Sequence, residues 1–511
     1  MRNISKSAYT QFLKCPKMLW YNTHGYEKAL SENTRRTLDN GTEFGIMAQT
    51  YFGDCVLVEK ESNISMIEQT NRCLEAGAEN IAEATFVSKG GYCQADILHR
   101  NENGRFDIVE VKSSTQIQSY YLDDVAFQYY VIRDCVPIDR CFILHMNNLY
   151  RRQGALSKEL FVLEDVTEKV KAKLKPKAKK PKKGEAPADT DKDLIGEAIS
   201  KINQLLDGDL PDMRVHAGCD DQWECPFMEA CVGSLDASSR KLMSCTDLTW
   251  KQRIKCLEKG EMVYPRGKEV LKLPDDETII DRDGIKSYLA GLTYPLYLLD
   301  FESIQNIVPQ YENQRPWQQT PFQYSLHIMQ KPDDTPQELI HREFLWDENS
   351  DPREALVKQL VRDIPADGCA MAYNMMFEKM IIEDLAEVYP EYAEQLMSIH
   401  ANFTDLMVPF RQQLYYKGSM RGSYSIKKVL PACYPNDPEL DYHNLEEVQN
   451  GTMAQEKYLA LIDMKPSAEK ERLRKNMLKY CELDTFAMYK LLRFLYGVSE
   501  AEVPAKTGNT D

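Results

Sequence analysis

The stretch "RFDIVEVKSST", beginning at Arg105, sets a glutamate and a lysine on either side of one valine inside a β-rich run. A strand alternates its faces, so Glu110 and Lys112 project together while Val109 and Val111 turn the other way. Upstream, "GYCQADILHR" reads as a second strand, and "NENG" supplies the Asn and Gly that a tight connection favours. The hairpin so formed brings Asp96 to the side of Glu110 and Lys112. Two carboxylates beside an ammonium suit a divalent cation: Mg²⁺ takes one or two carboxylates plus phosphate oxygens and turns bound water into a nucleophile. The lysine adds a donor for charge developing at phosphorus. On this reading Glu110 and Lys112 serve substrate rather than core. The plainer alternative is a solvated strand face carrying an i,i+2 ion pair.

A second set of acids lies far along the chain. In "YLLDFES", Asp300 and Glu302 share a strand face and Phe301 turns to the core. "AYNMMFEKM" sets Asn374 and Glu378 one helical turn apart at a helix start, and "LKYCELDTFAMYKLL" puts Tyr480 and Asp484 at i and i+4. Asp405 in "FTDLMVPF" is a spare acid. Four acids and a tyrosine that converge could hold a pair of cations on the attacking and leaving oxygens of a phosphodiester. Taken singly, each motif is equally a helix or strand surface pair.

Thiols form the third constellation. Cys219, Cys225 and Cys231 recur with five residues between neighbours in "HAGCDDQWECPFMEACVG", and Cys15 in "FLKCPKMLW" offers a fourth ligand. Four cysteines suit a structural Zn²⁺ or a [4Fe-4S] cluster, and spacing does not separate the two.

The elements that must position these residues follow from composition and pattern. A chain of 511 residues, 43% apolar and 28% charged, is long enough for two or three domains. No run of 18 apolar residues and no signal-peptide core is present, so the expectation is a soluble, cytoplasmic protein with reduced thiols and no membrane partner. The net charge of −16 argues against wholesale coating of nucleic acid, yet clustered carboxylates that bind cations would contribute to it. Residues 169–183 run the other way, with nine lysines and no acid. The pattern predicts helices over residues 1 to 60, strands passing into a helix over 80 to 150, and a mostly helical connector at 236–292. A new unit opens at 293 with a buried strand and continues helix-rich to 496, and 497–511 reads as a disordered tail.

Over residues 1–235, an early Cys, a D…E-x-K core and three closing Cys resemble the RecB-type PD-(D/E)XK nucleases with an iron-sulphur staple. That resemblance implies a restriction-endonuclease-type α/β core, with the lysine-rich loop at 168–190. By it, Asp96 and Glu110 bind Mg²⁺ or Mn²⁺ and Lys112 is the catalytic lysine. Glu83 in "IAEATFV" is then an upstream metal acid, Gln128 in "AFQYY" matches the following helix motif, and Cys15, Cys219, Cys225 and Cys231 hold [4Fe-4S]. Gly45 stands where that family carries a histidine. Over 293–496, D-x-E, N-x-x-F-(D/E) and Y-x-x-x-D in order resemble a DnaQ-like exonuclease of the RNase H-like fold. This implies a mixed sheet with flanking helices, metal ligands Asp300, Glu302, Glu378 and Asp484, and Tyr480 orienting water; Glu378 replaces the usual Asp. The combination resembles a bacterial family known only as a domain of unknown function, joined to a RecB-like nuclease. The implied activity is metal-dependent hydrolysis of nucleic acid, DNA ahead of RNA, in repair or phage defence. The rival from another class is a nucleic-acid-binding scaffold with one or both sites inactive.

Overall fold

The β-rich runs between residues 80 and 150 form four strands of one mixed sheet, and three short strands extend it. In the computed structural model, residues 2–30, 32–175, 193–221, 223–245, 248–260, 273–365 and 367–500 are described. The chain is α/β and divides into two units, residues 1–235 with 306–318, and residues 236–305 with 319–511.

In the first unit the strands are β1 Ile4–Ser5, β2 Val56–Leu57, β3 Asn80–Ser88, β4 Gly91–Arg100, β5 Phe106–Lys112, β6 Ile138–Met146 and β7 Phe161–Asp165. They order as β2-β3-β4-β5-β6-β7, with β1 on β4. The β3–β4–β5 meander is antiparallel, whereas β5 and β6 run parallel across the helix Tyr121–Ile132. That helix is buried from Val125 to Ile132 except at Tyr129, which is partly exposed. It packs Phe127 and Val131 against Ile81, Leu98 and Ile108 of the sheet. Gly91 is required beneath it, since a Cβ there would lie 2.6 Å from Val131 Cγ2.

The second unit holds β8 Thr278–Ile280, β9 Leu296–Gln305, β10 Gln319–Met329, β11 Ile340–Leu345, β12 Cys369–Ala372, β13 Phe403–Asp405 and β14 Tyr415–Lys417. Five of them form a mixed sheet ordered β11-β10-β9-β12-β13, and β14 pairs with β8. β9 is buried along both faces, with Asp300 and Gln305 partly exposed. Phe301 and Leu299 join the core beneath the helices Arg353–Asp363 and Met376–Val388. The long helix Ala468–Glu500 packs on the sheet as well, against β9 and β10.

Three boundaries differ from expectation. Residues 236–292 carry the helices Ala237–Met243, Trp250–Lys259 and Arg282–Ala290, but they belong to the second unit and contribute β8 to it. The last helix runs to Glu500, past residue 496, because its buried positions continue to Ser499. The lysine-rich stretch begins as the helix Thr167–Lys173, while 176–192 and the tail at 501–511 lie outside the described residues. Among the described residues no helix is long and apolar enough to cross a membrane.

Candidate functional sites

The first site grows from a fork in the sheet. β3 pairs with one edge of β4 along its length, so β1 and β5 share the other edge. β5 takes Ile97 to Arg100 and β1 takes Gly91 and Tyr92, leaving Asp96 between them. There Asp96 Oδ2 accepts the Val111 N–H at 2.7 Å, in place of a backbone partner on β4. Lys6, the first residue after β1, reaches into the fork and donates to Glu110 Oε1 at 3.0 Å and Oε2 at 3.1 Å. Lys112 Nζ lies 2.8 Å from the same Oε1 and 2.8 Å from Asp124, and Gln128 Nε2 donates to Oε2.

Glu110 is 1% exposed, which departs from the expectation that it serves substrate alone. Burial by itself would raise its pKa, but the Lys112 and Lys6 ammoniums outweigh burial and hold the carboxyl below the ordinary range. Asp96 lacks such contacts, and burial followed by Glu110 repulsion pushes it up to about 7. Glu83 keeps φ at +57°, a sparsely populated value for a non-glycine residue, and burial raises its carboxyl. Lys6, Glu83, Asp96, Glu110 and Lys112 line one cavity of about 530 Å³, with Gly45 at its rim. Gln128 is fully buried and its Oε1 has no partner.

Two residues of this site escaped sequence reasoning. Asp124 sits four positions before Gln128, so the i,i+4 face of that helix was a usable signal. Lys6 lies 104 residues from Glu110 and nothing local marks it.

In the second unit Asp300, Glu302 and Asp484 each offer an oxygen, all within 4.8 Å of one another. Glu378, 4% exposed in the first turn of its helix, adds charge to Asp300 and Glu302, and its Oε2 is buried without a partner. Burial, then mutual repulsion, raises Asp300 well above the usual range and Glu302 to about 8. Burial carries Glu378 to about 8 and Asp484 to about 6, Asp484 being restrained by a hydrogen bond from Tyr442 at 2.6 Å. Tyr480 is buried beside them, its ring 6.0 Å from that of Tyr442.

Asn374 precedes the helix rather than opening it, with φ at +71°. Its N–H and that of Met407 both donate to Asp405 Oδ1, at 3.0 and 2.9 Å. Asp405 therefore shapes the turn that delivers Glu378, and its charge adds to the raised Glu378 carboxyl. Lys427, which sequence reasoning missed along with Tyr442, draws down the pKa of both Glu302 and Asp484. It lines a cavity of about 620 Å³ with Tyr434, Tyr442 and His443.

Cys15, Cys219, Cys225 and Cys231 lie near one another in the first unit. Cys15 and Cys225 pack with Met18, Tyr21 and Phe227, and Cys231 lies against them. Burial pushes the Cys219 thiol up to about 11, and Cys15, Cys225 and Cys231 add to that shift. The His216 N–H points at Cys219 Sγ at 3.4 Å. Lys14 bonds the carbonyls of Asp221 and Trp223, and its charge acts on Cys225 and Cys219.

Both halves are thus α/β units whose sheets bury carboxylates against a cavity. Against known proteins, residues 297–425 match a domain of unknown function (DUF2779), a span that includes Asp300, Glu302, Glu378 and Asp405. The chain is 27% identical over 263 residues to the uncharacterized protein UU173 of Ureaplasma parvum serovar 3, covering 45% of this chain. The match spans 36% of the length of that relative. No solved structure matches the chain.

Truncating Glu110 to alanine would leave two ammoniums facing each other in a buried fork. Glu110→Ala should therefore cost about 3 to 5 kcal/mol, read from denaturant unfolding. A loss below about 1 kcal/mol would mean that water already screens the cluster.

Carboxyls titrate near about 4 in an unfolded chain, so those raised in the fold stabilise it while protonated, and that stability is lost as pH rises through their folded values. The raised values of Asp96, Glu302, Glu378 and Asp484 place this window between about 4 and about 8. Metal-free protein should show a falling thermal midpoint across that window, and Mn²⁺ should restore more of it near pH 8 than near pH 5. Equal Mn²⁺ effects at both ends would contradict the assignment of these acids as cation ligands.

Proposed function

We propose that the chain is a divalent-metal-dependent nuclease with two hydrolytic sites, acting on DNA ahead of RNA and placed in the cytoplasm, where its thiols stay reduced. The first unit is read as RecB-like and the second as a DnaQ-like exonuclease. The observation that carries the reading is the convergence of Asp300, Glu302 and Asp484 within 4.8 Å, with a partnerless Glu378 oxygen beside them. Acids that raise one another's pKa in a buried site are those whose charge a cation would offset.

Asp300, Glu302, Glu378 and Asp484 would hold Mg²⁺ or Mn²⁺ in the second unit, and Asp96 with Glu83 and Glu110 in the first. The ion supplies Lewis acidity toward the phosphate and lowers the pKa of water. Around it, Tyr480 orients the attacking water, Tyr442 fixes the Asp484 carboxylate, and Lys427 draws a phosphate to the mouth of the 620 Å³ cavity. In the first unit Lys112 is the donor for developing charge. Gln128 Oε1, buried and unpartnered, is free to accept a hydrogen bond from a water.

For the cysteines we favour [4Fe-4S] over zinc. The His216 amide and Lys14 supply the donor and the positive charge that thiolates need.

A second reading keeps the first site for binding alone. It is favoured by the two ammoniums that already neutralise Glu110, occupying both of its oxygens.

Digestion of end-labelled single- and double-stranded DNA and RNA tests both readings. With Mg²⁺ or Mn²⁺, mononucleotides should be released from an end; Asp300→Asn should abolish this and Tyr480→Phe should slow it without loss of metal binding. Undiminished release by Asp300→Asn would overturn the exonuclease assignment. A metal-dependent cleavage that survives Asp300→Asn and is lost in Lys112→Ala would establish the first site as hydrolytic, whereas its absence would leave that site to binding.

Protein purified without oxygen should be brown and contain iron and sulphide in equal amounts. One equivalent of zinc with no iron would replace the cluster by a structural metal.

A further inference from the structure

A third constellation lies in the second unit, apart from the carboxylates. His327 on β10 faces His341 on β11 in direct cross-strand register, and their rings stack with centroids 4.6 Å apart. Glu482 comes to the same place from the long helix Ala468–Glu500. His327, His341 and Glu482 each offer one ligand atom, and these lie within 4.8 Å of one another.

The surroundings orient both imidazoles. His327 Nδ1 meets Thr485 Oγ1 at 2.7 Å, and His341 Nε2 meets Ser325 Oγ at 3.1 Å. Ser325 and Thr485 are themselves joined at 2.7 Å. These contacts leave Nε2 of His327 and Nδ1 of His341 as the free nitrogens. Hydroxyls that fix one nitrogen of each ring are what a ligating histidine needs to set its tautomer and direction. His327 is 5% exposed, held between its stacked neighbour and Thr485.

We propose that His327, His341 and Glu482 form a binding site for a zinc-class divalent ion, which fastens the helix carrying Tyr480 and Asp484 to the β10–β11 edge of the sheet. Two imidazoles and one carboxylate are a known donor set for such an ion, with a fourth position left to water. Glu482 and His341 face solvent enough to admit it, Glu482 being exposed and His341 partly so. Oxygen-seeking Mg²⁺ would prefer the all-carboxylate cluster, so the two sites divide the ions by donor type. Ser325 is the cross-strand partner of Asp300, which sets the two sites side by side on one sheet face. The proposal does not depend on the nuclease reading.

Full-length protein with its cysteine site filled, in excess Mg²⁺, provides the test, with Co²⁺ as the spectroscopic probe. One equivalent of Co²⁺ should bind and give visible ligand-field bands without a thiolate charge-transfer band. Zn²⁺ should displace it and raise the thermal midpoint. His341→Ala should lose both effects, and Glu482→Gln should weaken binding by about tenfold or more. Asp300→Asn should retain it. Should His341→Ala fail to fold, Glu482→Gln at its exposed position decides. Wild-type protein that takes up no Co²⁺ beyond the cysteine site, or a Glu482→Gln variant that binds as tightly as wild type, would overturn the proposal.

Discussion

Charge placed inside a sheet has to be answered from close by, and Glu110 shows how the first unit does so. The carboxylate is almost wholly buried, and it is met by Lys6 from the chain start, Lys112 from its own strand and Gln128 from the following helix. Each of these comes from a different element, so the site requires β1, β5 and the helix Tyr121–Ile132 to assemble together. Once they do, Lys112 also holds Asp124, and Asp96 is left with only an amide donor. The two carboxylates therefore differ in state: Glu110 is held charged and fixed, while burial and its neighbour's charge raise Asp96.

The second unit answers the same problem differently. Lys427 brings a positive charge to bear on Glu302 and Asp484. Their high pKa values follow from burial and from one another. Raised pKa values of this kind mean that protons supply part of the neutrality, and that it is lost as pH rises. Tyr442 and Asp405 hold the geometry meanwhile, the first through Asp484 and the second through the turn at Asn374.

Much of this was legible in the chain. The period-two placement of Glu110 with Lys112, and of Asp300 with Glu302, survives in β5 and β9 because burial of one strand face fixes register. The i,i+4 pair Tyr480 and Asp484 likewise falls on one side of a long helix. What was not legible depends on distance along the chain. Lys6 has no local pattern linking it to Glu110, and the short strands β1, β2, β12 and β13 are only 2, 2, 4 and 3 residues long, too few for periodicity to register. Asp405 was visible as an acid, but its role rests on two backbone amides that only the fold brings to it. His327 and His341 are 14 residues apart, so their meeting required knowing the β10–β11 register.

The docking of the chain start onto residues some two hundred positions later carries a consequence for biosynthesis. Arg2 pairs with Asp207, Trp20 donates to the Gly208 carbonyl, and Lys14 caps Asp221 and Trp223. None of these contacts can form until their partners have left the ribosome, and closing so long a loop is slow as well as late. Met18, Leu19 and Tyr21, buried in the finished fold, must therefore wait exposed while the sheet grows. This early segment therefore settles late, and its apolar side chains stay uncovered until the partners some two hundred residues on have arrived.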